Sequence, residues 1–532
     1  MRGGGERVGV ARTRCARSNQ LLTAVAICIC ATAPLHAEIT ESQVLVVYNS
    51  NSADGAVLKD YYLAAHPGIP AVNVLDLNNA LLNAPDISYS NFVMLVRNPI
   101  RAYLSLAGAL EPADIVAICI IRPFSHRILD TDANNSGDNP NSMLSETLAG
   151  DGTNAALDAE LALLWQNLDA GEAGGAMDSK SDNFIDNPYH KLSNPISAFG
   201  RTDIQIQKAF VPDAQQISWL LGGAGATRFT PGDMYLVCRI DGNSLTDAKA
   251  EIDRAKSLYV NKAVVKILLD EYDTSICSEY DDDGLYSNNG SDPYWGGDDY
   301  ELTRDNLVAN GWNVRYDAAF NFIDSTEESN PLIGYASYGG NDLNNGCGQG
   351  PPGDATYIEG FHFPPGAIFN TIESYNARGL NGLGTFFGQE QVADFIGEGG
   401  TFGVGSVWEP FAITLPDNAF LMTNMLNNGL TFAEAAYTSF PALSWHQLAV
   451  GDPLGKMIVI NDPATPKGDM NGDGKVDGRD VRWFMDVVLN GPSNYRIVFP
   501  ALDPIARGDF DGDFKITSID TSAFVTAMVT AP

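Results

Sequence analysis

The chain has 532 residues, with 66 Asp and Glu against 32 Lys and Arg, for a formal charge of −34. Nucleic-acid binding needs clustered Lys and Arg, so this balance excludes nucleic acid and favours solubility and divalent cations. No stretch of the mature chain reaches the roughly 18 apolar residues of a membrane span, so the product is not expected to span a membrane.

At the N-terminus, Arg2, Arg7, Arg12, Arg14 and Arg17 precede an apolar run from Leu21 to Ala33, and Leu35-His36-Ala37 offers a small-residue cleavage site. Residues 1–37 therefore read as an export signal. The mature protein is expected to be secreted, whether extracellular, periplasmic or at the cell surface. Four of the seven cysteines remain after cleavage. Cys119 and Cys238 lie in apolar runs and read as small buried thiols. Cys277 and Cys347 lie in polar loops, where pairing or two free thiols both stay open.

From 38 to 460, short β-branched runs alternate with amphipathic helical stretches. QVLVVYN is followed by GAVLKDYYLAAH, DIVAICII by AALDAELALLWQNL, MYLVCRI by LTDAKAEIDRAKSL and AVVKILLD by ELTRDNLVANG, with WNVRY, PLIGYAS and TFGVGSV later. Continuous hydrophobic strands separated by helices predict one α/β domain with a mostly parallel, doubly wound sheet. Two polar insertions interrupt it, at 127–153 and 272–300. The first carries Asp130, Asp132, Asn134 and Asp138 without a turn glycine; the second mixes acids with Tyr280, Tyr286, Tyr294, Trp295 and Tyr300. Both read as solvated surface loops.

In open α/β sheets the ligand crevice lies beyond the carboxyl ends of the strands. That rule points to Asn49 and Ser50, Arg239 and Asp241, Asp270 and Glu271, the run from Ser337 to Asp342, Glu373 and Ser374, and Glu409. Paired carboxylates among Asp270, Glu271, Glu373 and Glu409 could perform glycoside hydrolysis. Acids at strand ends also serve as helix caps and ion-pair partners, so both readings stay open.

After a linker at 461–467, residues 468–532 contain GDMNGDGKVDGRD and, forty positions on, GDFDGDFKITSID. Counted from Asp469, oxygen donors fall at positions 1, 3, 5, 9 and 12 (Asp469, Asn471, Asp473, Asp477 and Asp480), with the Lys475 carbonyl at 7 and Gly474 at the sharp turn. A hard cation such as calcium takes six to eight oxygens in such a loop. The second loop offers Asp509, Asp511, Asp513, the Lys515 carbonyl, Thr517 and Asp520. It has Phe514 where glycine is usual and Thr517 where Asp477 stood, so weaker binding is expected there. Each loop leads into a short amphipathic helix. NDPATPKG precedes the first loop, and its two prolines argue against an ordinary EF-hand.

The loop-helix repeat from Gly468 to about Val529, with Asp at position 12, resembles dockerin modules. The resemblance implies a calcium-dependent module that docks on a cohesin-type or cell-surface partner, commonly on secreted enzymes that attack polysaccharides. VLVVYNSNSADG, RIDGNSLTDAKAEIDRA, GYASYGGND, ADFIGEGGTFGVGSVWEPF and HQLAVGDPL resemble a family of uncharacterised secreted bacterial proteins, found in planctomycetes and other species with exosortase-type sorting systems. More remotely, GYASYGG and GAIFNTIESYNA, closed by GDPL, are similar to caspase and gingipain peptidases, in which a His-Gly follows one strand and a nucleophilic Cys the next. Here Tyr338 stands at the histidine place and Ser374 at the cysteine place. Tyr, with a pKa near 10, cannot serve as the base at neutral pH. The α/β domain is accordingly expected to be non-catalytic. The alternative is a secreted hydrolase of polysaccharides or peptides, carried by the strand-end acids and Ser374.

Overall fold

The runs read as buried strands form a ten-stranded sheet in the computed structural model. The model describes residues 38–105, 110–129, 155–165, 185–202, 204, 230–256, 258–271, 299–318, 323–339, 358–380, 392–408, 410 and 414–531. The strands are β1 (Val44–Tyr48), β2 (Val74–Asp76), β3 (Ala117–Ile121), β4 (Leu236–Ile240), β5 (Lys266–Asp270), β6 (Val314–Asp317), β7 (Leu332–Ser337), β8 (Ile368–Thr371), β9 (Phe402–Ser406) and β10 (Gln447–Val450). Their order is β6-β5-β7-β8-β9-β10-β4-β3-β1-β2.

The chain winds both ways from β1, to β2 on one side and β3 on the other, and again from β5 to β6 and β7. All these pairings are parallel. Strand β10 joins the two halves, antiparallel to β9 and bridged to β4 in the parallel sense through Val450 and Arg239. The fold is thus α/β with a large, mostly parallel sheet, as the alternation of runs predicts. Strands β3, β4, β7, β8, β9 and β10 are buried along their whole length, because a parallel sheet hides both faces.

Helices form where caps and apolar spacing coincide. Ser244 Oγ accepts the Asp247 N–H at 3.1 Å and opens Leu245–Ala255, whose Ala248, Ile252 and Ala255 are buried on one face. Thr431 and Glu434 make a capping box for Phe432–Ser439. Cys119 and Cys238 are buried free thiols on adjacent strands, in register. Tyr300 lies in the core as the first residue of helix Tyr300–Ala309, not in a solvated loop. The export signal, Cys277, Cys347, the Asp130–Asp138 spacing, Tyr280, Tyr286, Tyr294, Trp295, Asp342 and Glu409 fall outside the described residues.

The tail has its own core of Met470, Phe484, Val487, Tyr495, Ile516 and Phe524. Helices Val481–Asn490 and Thr521–Thr530 repeat forty positions apart. Their equivalent rings Phe484 and Phe524 stack at 4.1 Å, which joins the two repeats. The second loop is preceded by a short helix, Pro504–Gly508, begun by the Asp503 cap and Pro504. The expected linker is pinned: Ile458–Ile460 pairs in parallel with Tyr259–Asn261, and Asp462 is buried.

Candidate functional sites: the strand ends and the tail loops

Asp270 ends β5 and pairs in register with Ser337 of β7, which in turn pairs with Thr371 of β8. Tyr338 and the segment leading to Ser374 therefore leave adjacent strand ends. Both residues are buried.

The strand-end acids are engaged by the fold. Asp270 Oδ2 accepts the Ile323 N–H at 2.9 Å. Burial, opposed by that bond and reinforced by the Asp317 charge, pushes its pKa up to about 8. Glu271 Oε2 accepts the Tyr316 hydroxyl at 2.5 Å, and the same hydroxyl contacts Glu301. Glu373 accepts the Thr371 hydroxyl at 3.0 Å. Asn376 donates to the same Thr371 oxygen at 2.8 Å and accepts the Ser406 N–H at 2.7 Å. These bonds tie the end of β8 to β9.

Gly339 has φ +73°, and a Cβ there would lie 2.1 Å from Glu373 Cγ. Gly339→Ala should therefore cost about 1–2 kcal/mol from the left-handed backbone alone, with the displaced Glu373 adding to it. A denaturant midpoint unchanged from the wild type would contradict this.

Asp270 also makes stability depend on pH. Its pKa is raised on folding, so the folded state holds a proton that the unfolded chain releases near pH 4. Stability should fall as pH rises from about 4 to about 8 and level off above. Asp270→Asn should flatten that slope and raise the melting temperature at pH 8, read by thermal unfolding at several pH values.

At the carboxyl ends of β3 and β4, with Arg239 inside β4 rather than after it, lies a buried ionic network that the strand-end rule found only in part. Arg239, fully buried, donates to both oxygens of Asp158 at 2.8 and 2.5 Å and to Asp241 at 3.4 Å. Arg122 Nε reaches Asp241 at 3.1 Å. Asp158 and Arg122 were not singled out, because nothing local in the sequence marks a partner 81 or 119 residues away. His126 is buried and donates through Nε2 to the Arg378 carbonyl at 3.1 Å. Burial, with the Arg239 and Arg127 charges, holds its pKa well below the usual range. Asn49 clamps a turn, bonding the Asn79 carbonyl at 3.0 Å and Asn83 at 2.8 Å. His66 and His190 face Asp452 and Asp417 at 2.7 and 2.5 Å. His446 precedes its strand, but because β10 runs antiparallel to β9 it lies beside the carboxyl end of β9, its carbonyl accepting the Val407 N–H at 2.9 Å. The sequence carries no sign of that strand direction.

In the tail the two loops match position by position. Asp469 accepts N–H groups from Gly472, Asp473 and Gly474 at 2.8–3.1 Å. Asp480 accepts those of Asn471 and Asp477. In the second loop Asp509 accepts those of Gly512 and Phe514, and Asp520 those of Phe510, Asp511 and Thr517. Phe514 takes φ +62°, the left-handed turn that Gly474 takes at +83°.

Asp509, Asp511 and Asp520 each offer a carboxylate oxygen, all within 4.8 Å of one another. Calcium–oxygen distances are 2.3–2.6 Å, so one ion could touch all three, and this donor set fits calcium. Asp513, Lys515 and Thr517 stand at positions 5, 7 and 9 of the same loop in the sequence.

In the first loop Arg479 pairs with two acids, Asp473 at 2.9 Å and Asp477 at 2.7 Å. Burial, with the adjacent Asp469 charge, raises the pKa of Asp480. Burial acts the same way on its equivalent Asp520, but amide N–H bonds outweigh it and lower that pKa.

No protein-family model matches the chain, and no curated protein matches it. Among the described residues no helix is long and apolar enough to cross a membrane.

Proposed function

We propose that the chain is a secreted protein whose dockerin-like tail binds calcium in two loops and docks on a cohesin-type or cell-surface partner, with a non-catalytic α/β domain. One observation carries the reading: three carboxylates of the second loop converge within the span of a single ion. Leu489, Ile497 and Val529 of the tail are exposed by 73, 81 and 76% and leave apolar side chains available to a partner. The doubly wound arrangement with adjacent Tyr338 and Ser374 ends is in keeping with a caspase- or gingipain-like fold. The burial of Asp270, Glu271, Glu373 and Ser374 favours a non-catalytic domain over the alternative of a hydrolase.

Titration calorimetry on the mature chain should register calcium binding. Asp469→Ala should weaken it more than Thr517→Ala, because the first substitution removes a charged ligand and the second a neutral one. No heat with calcium in the wild-type protein would overturn the calcium reading.

A further inference from the structure

We propose that the tail is an intramolecular clamp, in which cation capture by its loops and seating on the α/β domain form one coupled equilibrium. This rests on the calcium reading above and gives the site its first partner, the chain's own α/β domain. Two routes connect the loops to that domain.

The first route runs through the second loop. The Phe514 ring stacks on His362 at 3.4 Å with planes 16° apart. His362 lies in the segment before β8, and its carbonyl accepts the Leu332 N–H that opens β7, at 2.8 Å. Phe514 occupies position 6 of the loop, between ligands 5 and 7, and it holds a left-handed conformation that costs a non-glycine residue about 1–2 kcal/mol. A glycine there would fold the loop more easily but could not make this contact. The ring therefore sets loop conformation and docking together: the turn that carries the ligands also aims Phe514 at His362.

The second route runs through the first loop. Asp469 at position 1 gives its carbonyl to Arg507. Arg507 also grips both oxygens of the linker residue Asp462 at 2.7 Å. Asn261, in the short strand that precedes β5 in the chain, donates to the Asp462 carbonyl at 2.8 Å and accepts the Asp462 N–H at 2.9 Å. Arg496 of the tail lies over the Tyr259 ring at 4.2 Å.

A cleft of about 780 Å³ remains between tail and domain, lined by Val260, Pro364, Val487, Arg496, Phe514 and Ile516 among others. With that space left open, the ring stack and the Asp462 linkage are discrete points of contact, and a single substitution can test each one. Coupling of two equilibria is reciprocal: the factor by which seating tightens calcium binding is the factor by which calcium tightens seating, so loss of seating lowers calcium affinity by up to that factor.

The test is calcium titration calorimetry on the mature full chain, in wild-type, His362→Ala, Phe514→Gly and the double variant. Neither residue supplies a side-chain ligand, and His362 is half-buried, so folding should survive its loss. The expected result is at least about a fivefold loss of affinity at one site in His362→Ala. In the Phe514→Gly background the same change should have no effect, because the ring it touches is gone. Hydrogen exchange should also show calcium-dependent protection of the Leu332 amide in the wild type and its loss in His362→Ala. Equal affinity in wild-type and His362→Ala proteins overturns the clamp while leaving calcium binding intact. No heat in any variant overturns the clamp together with the calcium reading, so the two failures are told apart.

Discussion

Asp158→Ala is expected to destabilise the α/β domain by about 3–5 kcal/mol, because it leaves the buried Arg239 guanidinium without the carboxylate that both its Nε and Nη2 contact. Asp241, at 3.4 Å, is already engaged by Arg122 and by the Gly242 N–H, so it cannot fully take over. Replacing both partners by apolar groups, as Asp158→Leu with Arg239→Met, should recover much of the loss, since no uncompensated charge stays buried. Urea unfolding of the three proteins checks this. A single variant as stable as the wild type would show that the network is solvated and contributes little.

The second large effect is expected at Arg507. Arg507→Met leaves Asp462 buried without its guanidinium and removes the donor to the Asp469 carbonyl. The expected cost is again about 3–5 kcal/mol, concentrated in the tail. Trp483, packed edge-on against Phe499 at 4.9 Å, is the one tryptophan of residues 468–532. Its emission should shift at lower urea than in the wild type, while the α/β transition moves less. Coincident, unshifted transitions would exclude this role for the ion pair.

Much of the fold is legible because its signals are local. AICII, LVCRI and LIGYAS are largely apolar runs, and each became a fully buried strand. The forty-residue repeat likewise foretold two equivalent helices. Other features leave no local trace. The antiparallel course of β10 depends on which strands it lies between, and the Asp158–Arg239 pair spans 81 residues. Tyr300 sits among acids and glycines in sequence, yet it starts a buried helix because helix Tyr300–Ala309 packs on the core.

By itself the sequence determined the α/β alternation, the buried thiols, the strand-end positions of Asp270, Glu373 and Ser374, and the ligand spacing of both loops, since each is written within a dozen neighbouring residues. Tertiary structure alone decided which of those groups are engaged. It buried the strand-end acids against hydrogen-bond donors such as the Ile323 amide and the Tyr316 and Thr371 hydroxyls, set Arg479 against Asp473 and Asp477, and brought three acids of the second loop together. It also brought Phe514 onto His362, 152 residues away in the chain. Hydrogen bonds, ion pairs and ring contacts act through space over a few ångströms, and only the folded chain sets those distances.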